Sequence, residues 1–371
     1  MNKKLKRNEG ATSLINKLKK NSTIDTTTIF AESNFYTEIE YIPTPIPIIN
    51  LALSGKAFDG GISKGVTILA GASRSGKTIF MLLCLKAYLD HYEDAVGLLY
   101  DSEFSFTPSY LSSMGIDTNR VVVTSLGDLE KFKIDVVNQF SGIEVGDHVF
   151  IGVDSLGSFY SSKEFNDALD GKEKVDMTRQ KSMKSIMRML VPESNLKKIP
   201  FFAITHSYET LEIYSKTVVS GGTSLMYAAN TVLLFSRRKM QNTTEAGYEF
   251  VIKIEKSRNC KDTIRLPLVA PRNGTFKRWS SMFDLAVEYG FINSGAWCTI
   301  PSLADYIDKK VRRKEIEDND EFWKKMFSET NMIEIIEKDM AVSQDQSSIF
   351  KDIEEQSIEE ENIQIEEDEI I

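Results

Sequence analysis

The chain has 371 residues, 42% hydrophobic and 10% aromatic. It is too long for one small domain and too apolar to be broadly disordered, and no apolar run approaches the ~20 residues of a membrane span. The net charge of −9 is set by the tail: residues 351–371 hold ten carboxylates and one lysine, whereas residues 1–20 hold seven bases and one acid. That asymmetry fits a polyanion binder and equally a body with two solvated termini.

Residues 1–45 are polar and Thr-rich, with an amphipathic patch, Leu14, Ile15 and Leu18, that predicts a short helix. The cluster Pro43-Thr44-Pro45-Ile46-Pro47 reads as an extended connector. Strands are predicted at Val66–Ala70, Val96–Tyr100, Val121–Thr124, Val149–Val153, Phe201–Thr205 and Thr231–Ser236, with an antiparallel pair at Tyr248–Glu255 and Thr263–Leu268. Helices at Ile79–Leu89, Pro108–Met114, Asp128–Phe140 and Lys174–Leu190 alternate with them. Continuous apolar strands between amphipathic helices predict an α/β core over residues 46–280, its mainly parallel sheet covered on both faces. Residues 281–343 read as a small helical region and 344–371 as a disordered acidic tail. Cys84, Cys260 and Cys298 are odd in number and form no CxxC pair, which argues against a disulfide framework or a zinc module, and His91, His148 and His206 show no metal-ligand spacing; a reducing, cytoplasmic compartment follows.

Gly71-Ala72-Ser73-Arg74-Ser75-Gly76-Lys77-Thr78 fits G-x-x-x-x-G-K-[ST] in full, between a predicted strand and a predicted helix. The glycines let successive backbone N–H groups face phosphate oxygens at a helix N-terminus. Lys77 then reaches the β- and γ-phosphates of ATP, and Thr78 takes a place on Mg²⁺. Asp154 ends a buried strand 76 residues beyond Thr78, where such a domain places its metal-supporting carboxylate. Asp101 and Glu103 end the intervening strand. Glu103 is a candidate to orient or deprotonate the attacking water, and helix capping by either acid is the open alternative.

Several further segments fall in an order that resembles the RecA-type recombinase core, and most closely the UvsX-type recombinases of T-even-type bacteriophages. They are Ile48–Gly55, Tyr100-Asp101-Ser102-Glu103-Phe104, Asp135–Gln139, Asp154-Ser155-Leu156-Gly157, Asp176-Met177-Thr178-Arg179 with Lys181, and Glu255-Lys256-Ser257-Arg258. The likeness spans roughly residues 45–295 and weakens outside them. It implies Glu103 as the catalytic glutamate and Tyr110 as the aromatic stacked on adenine. It places His206 where many relatives carry a γ-phosphate-sensing glutamine, and Lys256 and Arg258 as cations reaching a neighbouring protomer's ATP. Without the resemblance, Lys256 and Arg258 read as a solvated strand end.

The resemblance also implies two DNA-holding loops, about Glu164–Met177 and Ser207–Thr223, the second ending in Gly221-Gly222. Lys181, Lys184 and Arg188 share one helix face by spacing, either as a phosphate track beside Arg179 or as an ordinary basic face. Together these expectations describe a DNA-dependent ATPase that forms filaments on single-stranded DNA and exchanges strands with homologous double-stranded DNA. Its N-terminal segment would pack on the next protomer, and a single-strand-binding protein and a mediator would assist. The alternatives are a ring-shaped hexameric helicase with the same core and a non-enzymatic mediator.

Overall fold

The computed structural model describes residues 9–33, 39–171, 178–209, 217–220, 223–239, 247–262, 264–271 and 276–342. The acidic tail, Gly221-Gly222 and much of both expected DNA loops lie outside these residues. The chain divides into two compact units, Met1–Glu40 and Tyr41–Ile371. In the first, helix α1 (Glu9–Asn21) carries Leu14, Ile15 and Leu18 as exposed side chains. A short helical turn follows at Phe30–Glu32, with Lys19 3.8 Å from Glu32.

The second unit is built on an eight-stranded sheet in the order β10-β9-β8-β1-β5-β4-β2-β3. Its strands are β1 (Gly65–Gly71), β2 (Val96–Asp101), β3 (Val121–Ser125), β4 (Val149–Asp154), β5 (Pro200–Thr205), β8 (Thr231–Lys239), β9 (Gly247–Ser257) and β10 (Arg265–Pro271). From β8 to β3 all pairings are parallel, and β9 and β10 add antiparallel strands at one edge. β1 and β5 are buried along their whole length, the signature of a sheet covered on both faces.

Alternate side chains feed two cores. On one face Leu69, Leu99, Phe150, Phe202 and Phe235 pack with α3 (Lys77–His91) and with the wholly buried α2 (Pro47–Ser54). On the other, Ile68, Tyr100, Ile151, Phe201 and Val232 pack with α5 (Leu129–Gly142) and α7 (Thr178–Leu196). Asp128 caps α5 by accepting from the Lys131 N–H at 2.9 Å, and Leu129, Phe132, Val136 and Phe140 form its buried stripe.

Three elements differ from the sequence reading. The helix predicted to end at Leu190 continues to Leu196 through Pro192. The Ser194 hydroxyl and the Asn195 amide both donate to the Val191 carbonyl, and the buried stripe extends to Ser194. The first expected loop begins as helix α6 (Ser162–Leu169), capped by Ser161. The second is bounded by a small antiparallel ladder, β6 (Ser207–Glu209) with β7 (Thr217–Val219), and then by α8 (Thr223–Ala228). A short α4 (Pro108–Ser113) follows β2.

The C-terminal helices α9 (Met282–Glu288), α10 (Arg313–Ile316), α11 (Asp320–Glu329) and α12 (Met332–Met340) join the α3-side core through Phe283, Trp323, Met326, Ile336 and Met340. The buried indoles find partners: Trp279 donates to Asp320 at 2.5 Å and Trp323 to the Glu317 carbonyl at 3.0 Å. The Ala57 N–H donates to Glu337 at 2.8 Å, tying α12 to the core.

Candidate active site

The C-terminal ends of β1, β2, β4 and β5 meet along one edge of the sheet, the position at which open α/β sheets bind ligands. β1 delivers Gly71 into the loop that opens α3. Gly76, the residue before α3, has φ 89°, and a Cβ there would strike the Phe250 ring at 2.9 Å, so both its conformation and its packing require glycine. Lys77 is only 5% exposed. Its ammonium donates to the loop's own carbonyls, Gly71 at 2.9 Å and Ala72 at 2.7 Å. Burial lowers its pKa, while Asp154 and Glu103 oppose the shift.

Thr78 donates its hydroxyl to Asp154 Oδ2 at 2.6 Å. Asp154 is 2% exposed, and its pKa is raised to about 6. Burial is the main cause; the Thr78 hydrogen bond and Lys77 pull the other way, and Glu103 and Asp101 add to the rise. A hydroxyl and a carboxylate side by side suit Mg²⁺, which keeps waters and phosphate oxygens for the rest of its sphere. No group of three or more His, Cys, Asp or Glu able to hold a metal occurs among the described residues.

The structure separates the two acids that end β2. Asp101, buried, accepts from the backbone N–H groups of Glu103 and Ser105 at 3.2 Å and Phe106 at 3.0 Å, so it shapes the turn. Glu103 faces the cleft. Its Oε1 accepts from the hydroxyls of Ser155 at 2.9 Å and Ser158 at 3.2 Å, and lies 3.1 Å from His206 Nε2. An ionised carboxylate only accepts, so Nε2 carries the proton in this contact. A Cβ on Gly157 would come within 3.0 Å of the His206 ring. Ser155 and Ser158 were not singled out from sequence, although the polar run after β4 was a usable signal.

Glu103, Asp154 and His206 line a cleft of about 420 Å³ with Ser73–Ile79, Tyr110, Arg237 and Phe250. Tyr110 stands in the first turn of α4, where burial, and then Asp154, raises its hydroxyl pKa. Loop amides, one buried ammonium, a hydroxyl–carboxylate pair and a poised glutamate match the chemistry of a nucleoside triphosphate with its metal.

No protein-family model matches the chain. It is similar to the recombination and repair protein of Enterobacteria phage T4, with 44% identity over 280 residues, covering 75% of this chain and 71% of that protein. It is also similar to RecA of Streptomyces rimosus, 24% identical over 301 residues, 74% of this chain and 77% of that one. RecA of Frankia casuarinae is 24% identical over 294 residues, 72% and 83% of the two chains. The chain belongs to the RecA-like recombinase family.

Lys256 and Arg258 stand at the far edge of the sheet, where β9 pairs with the start of β8 (Thr231 opposite Ser257). Thr231 in turn lies opposite Thr67, four residues before Gly71, so about 13 Å of β1 at ~3.3 Å per residue separates that end from the start of the phosphate loop. They therefore lie away from their own chain's cleft. Lys256 is engaged within its own chain, donating to the carbonyls of Met226 at 3.1 Å, Tyr227 at 2.6 Å and Ala229 at 2.8 Å at the end of α8. Burial, and then Arg258, lowers its pKa. Arg258 is exposed.

On α7, Lys181, Lys184 and Arg188 are exposed on the face opposite Met183, Ile186, Met187 and Leu190. Arg179, expected beside them as a DNA contact, is instead turned inward. Its guanidinium donates to the carbonyls of Phe159 at 2.9 Å, Gly157 at 2.7 Å and Leu156 at 3.4 Å. It thus fastens the turn that carries Ser158 to Glu103. Charge-assisted hydrogen bonds are stronger than neutral ones, so three carbonyls converging from one turn hold the guanidinium, a contact that helix-face spacing does not reveal.

Proposed function

We propose that this recombinase is a DNA-dependent ATPase that polymerises on single-stranded DNA and catalyses homologous pairing and strand exchange, with a neighbouring copy completing each ATP site. One observation carries the reading. Glu103 is held by Ser155, Ser158 and His206 at the mouth of the phosphate loop, while Arg258 stands at the opposite edge of the sheet.

Lys77 leaves its loop carbonyls to neutralise the β- and γ-phosphates, and the loop N–H groups orient them. Thr78 and Asp154 would hold Mg²⁺, which when bound would neutralise phosphate charge. Glu103 positions the attacking water and accepts its proton. Tyr110 packs against the base. Lys256 and Arg258 stabilise the charge on a neighbour's phosphates, which links hydrolysis to assembly. That role requires Lys256 to release the end of α8.

His206 is the relay toward DNA. The Ser220 N–H donates to its carbonyl at 2.8 Å, the Thr205 hydroxyl donates to the Ser220 carbonyl at 2.9 Å, and β6 begins at the next residue. A shift of the imidazole on sensing γ-phosphate therefore moves the base of the second loop. Lys181, Lys184 and Arg188 track the DNA backbone, giving sequence-tolerant, salt-sensitive binding. The exposed apolar residues of α1 dock on the next protomer. A single-strand-binding protein and a mediator act with the filament. No helix among the described residues is long and apolar enough to cross a membrane, and we place the activity in the cytoplasm.

The test is phosphate release with and without single-stranded DNA, beside strand exchange between a homologous duplex and single strand. DNA-stimulated release with exchanged product is expected. Absence of both would overturn the reading, and duplex unwinding without exchange would favour the helicase.

A further inference from the structure

We infer that Arg237, laid on the ring of Tyr248, is a nucleotide-contacting residue that binds the ribose-proximal phosphates from the β8 side of the cleft, opposite Glu103. This deepens the nucleotide-binding reading and rests on it.

Position comes first. Phe235 pairs with Gly71, the last residue of β1, so Arg237 lies two residues further along β8, beside the loop as it leaves the sheet. Alternation puts Phe235 and Arg237 on the α3 face. Phe250, the register partner of Arg237, is the ring that a Cβ on Gly76 would strike. Arg237 is thus anchored one strand pair from the phosphate loop, and it lines the cleft.

Its partners come next. The guanidinium carbon lies 4.4 Å from the Tyr248 ring centroid, and among the described residues no carboxylate pairs with it. Arg238, on the opposite face, is paired with its cross-strand neighbour Glu249. Stacking uses the flat face of a guanidinium and leaves its charge and in-plane N–H groups for an acceptor in the cleft.

The charge layout fixes the direction. Asp101, Glu103 and Asp154 end β2 and β4, on the far side of β1 from β8. A triphosphate with its terminal phosphate at the metal pair and Glu103 and its base on Tyr110 leaves its ribose-proximal phosphates between those ends, in the cleft that Arg237 also lines. The nearest phosphates there are those shared by the diphosphate and the triphosphate.

The experiment is equilibrium titration of the full chain with MgADP and with the Mg²⁺ complex of a non-hydrolysable ATP analogue. Arg237→Ala is expected to raise both dissociation constants by a similar factor, roughly tenfold or more for a lost charge-assisted contact. Arg237→Lys, which keeps charge without the flat stack, recovers part of the loss, and Tyr248→Leu loses part. Arg238→Ala binds like the unmodified chain. Unchanged affinity in Arg237→Ala, or weakening of the triphosphate analogue alone, overturns the assignment. Failure of the unmodified chain to bind either nucleotide overturns the nucleotide reading itself. Arg237→Gln supplies the same comparison if the alanine variant does not fold.

Discussion

The cleft and the outer face of α7 are both polar, yet they are built on different terms. In the cleft Lys77, Asp101 and Asp154 are buried and each is hydrogen-bonded, and no buried side-chain N or O atom among the described residues lacks a partner. Along α7, Lys181, Lys184 and Arg188 stand in solvent above an apolar stripe. Buried groups act through geometry and are little screened, so losing one is an abrupt failure. Exposed cations act through summed charge, so losses there are graded and depend on salt.

The largest effect is expected at Glu103. Glu103→Gln should lower ATP turnover by about 10²–10⁴-fold, the usual worth of a positioned base, while nucleotide affinity stays within a few-fold. Single-turnover hydrolysis beside nucleotide titration checks this, and an equal loss of binding would assign Glu103 to affinity instead. The second effect belongs to α7. Replacing Lys181 and Arg188 together by Ala should weaken single-strand binding and reduce the slope of log K against log salt by about 1.4, at ~0.7 per phosphate contact. Glu103→Gln should leave that slope unchanged.

Arg179 tests whether the two regions are separate, because it starts on the α7 side and ends at the site. Arg179→Ala should cost about 2 kcal/mol of stability and lower ATP turnover, with the salt slope retained. Chemical denaturation and DNA titration read the two parts, and a loss confined to the salt slope would return Arg179 to the DNA face. The smallest effect is one of pH. The Asp154 pKa is raised from 3.8 to about 6, so the folded chain binds the proton more tightly than the unfolded chain does. The stability this contributes is full below pH ~4 and is lost as pH rises through about 6. Nucleotide-free thermal unfolding should follow that trend, and Asp154→Asn should flatten it.

The strands, the phosphate loop and Asp154 were legible in the sequence because each is a local pattern: an apolar run, a glycine spacing, a carboxylate closing a buried strand. Glu103 and Asp101 were legible as a pair but not in their division of labour, which depends on Ser155 and Ser158 arriving from β4. Arg179 and Lys256 were read as outward cations because sequence gives spacing, not the carbonyls that α8 and the turn after β4 bring to them. Arg237 was missed for the same reason, since only the pairing of β8 with β1 and β9 sets it beside the loop. The helix through Pro192 runs six residues past the predicted end at Leu190, where its buried stripe continues to Ser194.

The central claim is that triphosphate at this cleft is completed by a second copy, so that the chains wind around a single strand. The direct measurement is electron microscopy of the full chain with single-stranded DNA and the Mg²⁺ complex of a non-hydrolysable ATP analogue. The account predicts open helical filaments that are lost in Lys77→Ala. Closed rings, or dispersed single copies under the same conditions, would contradict it.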